Sequence, residues 1–249
     1  MKKHSDYFYT MFWILLMLVF IGFAPSFYLK PLVPEQPLYP DGLPNPHVIH
    51  GIILTIWYIF LVVQSGWIKY KKFHIHRMLG WFGAAWATLV LASTIWVITV
   101  FPDRMEQLAQ QQNSTVDEVE PGLISILWLD IFMCALFIGC FTIAIIKRNQ
   151  SVIHKRLMLY TGIAFIFAAV FRVGGITSYL LDSNVGMLFI LLILVSLTVS
   201  LLIHDYKKLG KIQPVSWWCF GLYWLAIVLS NVIAETAFGS IILIILKQT

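Results

Sequence analysis

Long apolar stretches separated by short polar segments dominate the chain. Seven of them reach the length of about 20 residues that a helix needs to cross the hydrocarbon core of a bilayer. They are residues 11–29, 48–68, 79–101, 123–146, 157–180, 185–203 and 215–234. We therefore predict an all-α integral membrane helical bundle of about seven transmembrane helices, and treat residues 1–249 as a single polytopic membrane domain.

The segments outside these stretches have patterns of their own. Six prolines between residues 31 and 46 predict an extended first connection, because proline removes a helix donor and restricts the residue before it. Residues 103–120 are polar and acidic, which predicts a loop with a short surface helix. About 12 apolar residues follow Glu235, too few to span, so we expect a short C-terminal helix at the interface or re-entering the membrane.

The composition excludes a soluble protein, and the sequence argues against nucleic-acid and nucleotide partners. Hydrophobic residues make up 59% of the chain and charged residues 12%, against about 25% charged residues in soluble domains. The net charge of +5 does not indicate a nucleic-acid partner, because the basic residues lie in short loops between apolar stretches. Neither a GxxxxGK[ST] loop nor a GxGxxG turn is present, so we expect no bound nucleotide, and membrane lipids are the expected partner.

The distribution of Lys and Arg predicts the orientation. If the N-terminus is cytoplasmic, 13 of the 17 basic residues lie on the cytoplasmic side and three on the other, and Arg172 falls inside a stretch. Since short cytoplasmic loops carry an excess of Lys and Arg, we predict a cytoplasmic N-terminus. The stretch after Met1-Lys2-Lys3 runs about 19 residues, longer than the apolar region of a signal peptide, so we interpret it as an uncleaved span.

Ionisable residues inside the apolar stretches predict an intramembrane polar site. Asp130 lies about 10 Å into its stretch from the outer side, and Arg172 about 23 Å from the inner side, at a rise of 1.5 Å per residue. His50 falls at a similar level in the first turn of a second stretch, and Glu235 lies at the outer end of the last one. Charges inside a bilayer are expensive and usually pair, which makes Asp130 and Arg172 the expected ion pair. Either this pair only locks two helices together, or the four residues form a functional cavity open to the outer face.

His47-x-x-His50 places two imidazoles on one face at the start of the second stretch. With Asp130 or Glu235 as a further ligand, this pair is a candidate divalent metal site. The alternative is a capping and interfacial cluster after Pro46.

A second pair of histidines belongs to a short repeated motif. Ile75-His76-Arg77-Met78-Leu79 and Ile153-His154-Lys155-Arg156-Leu157 each follow a basic turn and open a stretch. Such residues often contact lipid phosphates, but imidazoles from two helices that face each other are also candidate axial ligands of a b-type haem. The motif indicates either two duplicated hairpins or convergence on the same membrane-entry chemistry.

Several of these motifs together resemble a known group of proteins. They are residues 23–32, His47-x-x-His50-Gly51, His76-Arg77-Met78-Leu79-Gly80-Trp81, Asp130, His154-Lys155-Arg156-Leu157-Met158 and Arg172. This set resembles a family of uncharacterised bacterial multi-pass membrane proteins grouped as a domain of unknown function. The resemblance implies a multi-pass protein of the bacterial cell (inner) membrane and supplies no activity. A looser similarity connects the chain to b-type haem membrane cytochromes, although no helix here carries two histidines at the spacing those proteins use.

Four functions follow from these features, and whether the chain is an enzyme stays open among them. A haem- or metal-linked membrane redox protein that exchanges electrons with quinone is our first expectation. A small-solute or proton-coupled transporter is the second. The others are a metal-dependent membrane hydrolase and a sensory or assembly subunit.

Overall fold

A computed structural model describes residues 6–32, 43–111, 113–236 and 238–246 of the chain. Helices make up almost all of these ranges, and no residue in them belongs to a strand, which confirms the all-α prediction. The α-helices are α1 (Tyr7–Phe23), α2 (Asn45–Lys69), α3 (Phe73–Thr99), α4 (Phe101–Gln111), α5 (Val116–Ile146), α6 (Ser151–Ala164), α7 (Phe167–Leu180), α8 (Ser183–Leu209), α9 (Pro214–Ala234) and α10 (Ile241–Leu246). A π-helical turn, Ala24–Tyr28, extends α1, and a 3-10 turn, Lys30–Leu32, follows it.

The helices match the predicted number of spans. Six of them are long and apolar enough to cross a membrane: α1 with its π-helical turn, α2, α3, the part of α5 from Gly122 to Ile146, α8 and α9. The consecutive helices α6 and α7 meet at a bend of 48° and together form a seventh candidate span. The architecture is that of a multi-pass membrane protein.

The bend between α6 and α7 divides the predicted stretch 157–180, and a hydrogen bond explains where it falls. The Tyr58 hydroxyl of α2 donates to the Gly162 carbonyl at 2.7 Å. That carbonyl would otherwise accept from the Ile166 amide in a regular helix. The Ile166 amide donates instead to Ile163 at 3.2 Å, so the helix tightens and turns there. A side chain inserted into the hydrogen-bond ladder is a recognised cause of a helix break.

Most helices extend beyond the apolar stretches that predicted them. α3 begins six residues before residue 79, and α8 continues six residues past residue 203. The added turns carry Lys and His, whose long or polar side chains reach the interface while the backbone remains helical. α8 ends at Gly210, where the backbone is left-handed with φ 69°.

The basic residues gather at one end of the bundle, called here the basic end. Lys69 at the end of α2 forms a 3.3 Å ion pair with Asp6, just before α1. Lys155 of α6 lies 4.8 Å from the Phe8 ring of α1, and Tyr7 stacks on His204 of α8 at 4.1 Å. The starts of α1 and α6 and the ends of α2 and α8 therefore meet here, as the cytoplasmic segments of the predicted orientation must. The opposite end is called the far end.

The two short helices pack against each other at the far end. Phe101, Met105 and Leu108 form the buried face of α4, and Phe101 and Met105 share a small core with Leu243 of α10. The Trp128 indole of α5 donates to the Gly239 carbonyl at 3.1 Å, which holds the chain before α10 in place. These elements confirm the predicted short helix in 103–120 and the short C-terminal helix. Most of the predicted extended connection after Pro31 lies outside the described residues.

The main core is built on close contact between helices. The side chains of Leu15, Trp57, Tyr160 and Ile163, from three different helices, are fully buried in it. At Gly22 the backbones of α1 and α7 touch, because a Cβ there would overlap the Ala169 carbonyl oxygen. α1 therefore crosses directly against the helix that follows the bend.

Candidate functional site

A small cavity opens beside the bend between α6 and α7. Its volume is about 60 Å³, enough for a few water molecules, since one water needs roughly 10–15 Å³ by the same measure. Side chains of α2, α3, α5, α6 and α7 line it: His50, Leu54, Thr94, Val97, Ile98, Leu129, Asp130, Met133, Ala164, Phe165, Phe167 and Ala168. The wall is mainly apolar, and its polar groups come from His50, Thr94 and Asp130.

His50 is fixed in the cavity by a neighbouring helix. Its Nδ1 lies 3.0 Å from the Ser93 Oγ of α3. The Ser93 hydroxyl gives its own proton to the Val90 carbonyl at 3.0 Å, so the imidazole Nδ1 is the donor in the first contact. In a neutral ring this leaves Nε2 as a hydrogen-bond acceptor.

Asp130 presents a carboxylate to the same cavity. It is half-buried on α5, and it forms no hydrogen bond or ion pair with any described residue. The guanidinium of Arg104, on α4, acts on it electrostatically through space. An intramembrane carboxylate with open acceptor sites needs water or a ligand as its partner.

The expected ion pair between Asp130 and Arg172 does not form. The guanidinium of Arg172 lies 4.6 Å from the Phe23 ring, and its Nη1 lies 3.5 Å from the Ser26 hydroxyl. Both contacts are with the C-terminal part of α1 and its π-helical turn, because α7 turns away from the cavity after the bend. Arg172 therefore holds α7 against α1 and is not among the residues that line the cavity.

Glu235 also lies outside the cavity, although the sequence placed it at the same level. It follows the last residue of α9 and is exposed. A similar depth along the membrane does not determine which way a helix faces. Of the four residues predicted to form one site, the structure brings together His50 and Asp130 alone.

The candidate metal site at His47 and His50 lacks the ligands it would need. Both ring nitrogens of His47 are buried without a hydrogen-bond partner among the described residues. However, within the described ranges no three His, Cys, Asp or Glu side chains come close enough to hold a metal ion. A metal hydrolase needs three protein ligands, so the geometry of this part of the chain does not favour that function.

Sequence reasoning assigned Arg104 to an outer loop and so missed its place near the site. The buried face of α4 turns Arg104 towards the bundle, where its charge acts on both Asp130 and His47. The apolar spacing of Phe101, Met105 and Leu108 is the signal that could have revealed this helix face.

At the basic end the two predicted haem-ligand histidines lie together. The ring centroids of His76 and His154 are 6.3 Å apart, with ring planes at 83°. His76 Nδ1 lies 3.3 Å from the Gln64 carbonyl, and His154 Nδ1 lies 2.9 Å from the Ala144 carbonyl. A carbonyl only accepts, so each Nδ1 donates and each neutral ring keeps a free lone pair on Nε2.

His76 and His154 make equivalent contacts in two helical hairpins. In the α2–α3 hairpin and again in the α5–α6 hairpin, a histidine in the first turn of the second helix donates to a carbonyl near the end of the first. Both hairpins have their turn at the basic end, so α2 and α5 run in the same direction. The short motif shared by the two segments therefore corresponds to a shared local structure, as the duplication alternative requires.

A buried ion pair near the basic end was not anticipated. Arg156 Nε donates to Asp205 Oδ2 at 3.0 Å and Arg156 Nη2 to Asp205 Oδ1, and both side chains are almost completely buried. The Ser216 hydroxyl donates to the same carboxylate at 2.6 Å, and the Gln213 amide at 3.2 Å. The sequence analysis gave Arg156 as a basic residue of the repeated motif and assigned it no partner, and Asp205 fell just past the predicted span. A lone acid in a basic segment is itself a signal of such a pair.

Comparison with known proteins adds no family to this description. No protein-family model matches the chain, and no curated protein or solved structure matches it either.

Proposed function

We propose that this multi-pass membrane protein transports a small polar solute, and that the cavity between His50 and Asp130 is its binding site. The observation that carries the proposal is the broken span. Residues on both sides of the α6–α7 bend line the cavity, together with the carboxylate of Asp130. Transporters commonly bind their substrates at interrupted helices near the middle of the membrane, because the interruption presents backbone polar groups to the site.

The repeated hairpins support the same function. Many transporter folds contain two structural repeats, with the substrate site at the interface between them. Here His50 comes from the first hairpin, and Asp130 and Ala164 come from the second. The cavity thus lies where the two hairpins meet.

The chemistry of the cavity favours a small cation as the solute. The free Nε2 of a neutral His50, the Asp130 carboxylate and the Thr94 hydroxyl all accept hydrogen bonds, and the remaining wall is apolar. The volume of about 60 Å³ admits only a few non-hydrogen atoms. Ammonium and methylammonium combine a positive charge, N–H donors and this size.

Charge movement across a solid-supported membrane tests the proposal. Purified protein is adsorbed in vesicles, and ammonium or methylammonium is applied by rapid solution exchange. We expect a transient current with the wild type and its loss in Asp130→Asn, which keeps the side-chain shape and removes the charge. Glu235→Gln is the matched control, because it removes an exposed carboxylate outside the cavity. The proposal is overturned if the wild type gives no current, or if both variants reduce it equally.

The second candidate function is membrane redox chemistry at the basic end. The ring centroids of His76 and His154 lie 6.3 Å apart, and each neutral ring keeps a lone pair on Nε2. Their Nδ1 contacts resemble the outer hydrogen bonds that orient metal-binding histidines. These two residues would hold a b-type haem, which would supply one-electron redox chemistry, with quinone as the expected redox partner.

A visible spectrum separates the two functions. A reduced-minus-oxidised band that disappears in both His76→Ala and His154→Ala, with a metal assay on the same sample, would establish the redox function. A colourless, metal-free preparation would refute it and leave transport as the proposal. In either case we propose that the chain resides in the bacterial cell (inner) membrane with its basic end in the cytoplasm, because the positive charges gather there.

A further inference from the structure

We propose that protons cross this bundle along the line between α2 and α5, from the cavity to the pair formed by His76 and His154. This inference rests on the proposed transport function and deepens it, since it names the proton as the coupling ion and gives its route. The two hairpins place the residues of this route opposite each other at three levels.

The register of the two helices defines these levels. Residues seven apart lie on nearly the same helix face, and α2 and α5 run in the same direction. On α2 this face carries His50, Trp57 and Gln64, and on α5 it carries Asp130, Phe137 and Ala144. His50 and Asp130 line one cavity, and the Trp57 and Phe137 ring centroids are 5.6 Å apart. At the third level the Gln64 and Ala144 carbonyls accept from His76 and His154.

The middle level is an aromatic layer that closes the cavity towards the basic end. Phe165 lines the cavity and lies 5.0 Å from Phe137, ring centroid to ring centroid. Phe137 in turn lies against Trp57, and both of these side chains are fully buried. The three rings separate the outer polar site from the inner one, so in this structure the aromatic layer is a closed gate.

Polar atoms without partners lie at and beyond the gate. The Trp57 indole N–H and both side-chain polar atoms of Gln64 are buried with no hydrogen-bond partner among the described residues. Gln64 is 7% exposed, so bulk water does not satisfy its amide. Because buried polar groups are almost always hydrogen-bonded, these atoms indicate positions for internal water. Such water would connect the gate to the imidazole pair, since Gln64 also contacts His76 through its carbonyl.

The imidazoles continue the hydrogen-bonded chain of this route towards the basic end. Each Nδ1–H is held by a carbonyl, so Nε2 of each ring is left to accept a hydrogen bond from internal water. A proton moves along such a chain when each water accepts one proton and gives up another. At the far end the Asp130 carboxylate faces the cavity, where it accepts hydrogen bonds from water at the entrance of the route. No electron transfer or further reactant is involved.

Proton flux into vesicles tests the route. The full chain is reconstituted into phosphatidylcholine–phosphatidylglycerol vesicles that contain a pH-sensitive dye. A potassium diffusion potential set by valinomycin drives protons inward, without added solute and then with methylammonium. We expect faster acidification than in protein-free vesicles, and a severalfold decrease, up to about tenfold, in Gln64→Leu, the effect of one lost hydrogen bond on a rate.

Three variants make this result specific. Gln64→Glu keeps two polar atoms at the same position and should retain most of the flux, which separates loss of the water site from loss of folding. Ser65→Ala is the matched control, because the Ser65 hydroxyl is already bonded to the Val62 carbonyl at 2.9 Å and lies on another face of α2. Trp57→Ala removes the largest ring of the gate and should increase the flux.

The outcomes distinguish the route from the function. If Gln64→Leu conducts protons as the wild type does while Asp130→Asn abolishes methylammonium currents, the route is wrong and the transport function stands. If the wild type shows neither proton flux nor methylammonium current, both are wrong. A reduced flux in Gln64→Leu, with Gln64→Glu and Ser65→Ala near the wild type, supports the route.

Discussion

Two acidic side chains inside this bundle, Asp205 and Asp130, differ in how completely they are paired. Asp205, near the basic end, accepts from both the guanidinium of Arg156 and the Ser216 hydroxyl. Asp130, at the cavity, has no hydrogen-bond or ion-pair partner among the described residues, and Arg104 acts on it only from a distance. A fully satisfied carboxylate holds helices together, whereas one with open acceptor sites is available to a ligand. We therefore expect substitutions at Asp205 to reduce stability, and substitutions at Asp130 to reduce the proposed transport with little effect on stability.

The largest loss of stability is expected at Asp205. Asp205→Ala leaves the Arg156 charge buried without its partner, which costs about 3–5 kcal/mol in the free energy of unfolding. Unfolding in mixed detergent–SDS micelles measures this loss. The double variant Arg156→Met, Asp205→Leu buries no charge and should recover much of the stability. A single variant within 1 kcal/mol of the wild type would show that this pair does not hold α6 to α8.

A smaller loss is expected where the backbones of α1 and α7 touch. Gly22→Ala places a methyl group against the Ala169 carbonyl, so the helices must separate, at a cost of about 1–3 kcal/mol. Gly80→Ala is the control, since a Cβ there meets no atom within 4 Å. The same unfolding assay measures both variants. Equal stability of the two would mean that α1 and α7 move apart without cost.

Tyr58→Phe should have a still smaller effect on stability and a clear effect on transport. It removes the hydrogen bond to Gly162, worth about 1 kcal/mol, and returns that carbonyl to the helix ladder. Since this bond explains the bend that lines the cavity, we expect reduced methylammonium currents. Unchanged currents in a normally folded Tyr58→Phe protein would show that the bend does not depend on Tyr58.

The smallest change in stability is expected at Asp130, the carboxylate of the proposed binding site. Asp130→Asn removes a charge that no described residue pairs with, so the free energy of unfolding should change by no more than about 0.5 kcal/mol, the range of substitutions outside structural contacts. If the proposed transport function is right, the same variant should lose its methylammonium currents. If instead Asp130→Asn destabilises the protein as strongly as Asp205→Ala, Asp130 is structural and the comparison between the two acids fails.

Most of the fold followed from apolar length alone. Seven stretches predicted the spans because a helix in lipid must satisfy its own backbone. The bend was not predictable in this way, since it depends on Tyr58 of another helix, more than 100 positions away from Gly162. Several helices also extend beyond the predicted apolar stretches, and the reason is local. Lys and His at the interface can continue a helix although they are not apolar.

The sequence identified residues near the site but not which of them face each other. The structure places His50 and Asp130 at one cavity, and the ring centroids of His76 and His154 lie 6.3 Å apart. Arg172 and Glu235 lie outside the cavity, on helices whose rotation the sequence did not reveal. The pair formed by Arg156 and Asp205 was missed because both residues lie just outside the predicted apolar stretches, in turns by which α6 and α8 extend beyond those stretches.

The common direction of the two hairpins has a consequence for the origin of the fold. A single ancestral gene for one hairpin, copied in tandem, would insert both copies with the same topology, and the charge bias of each turn would be preserved unchanged. Folds built from inverted repeats require the two halves to insert oppositely, so their turns must carry opposite charge biases. Here both turns are basic, as tandem copying of one hairpin would require, and His50 of the first hairpin and Asp130 of the second line one cavity.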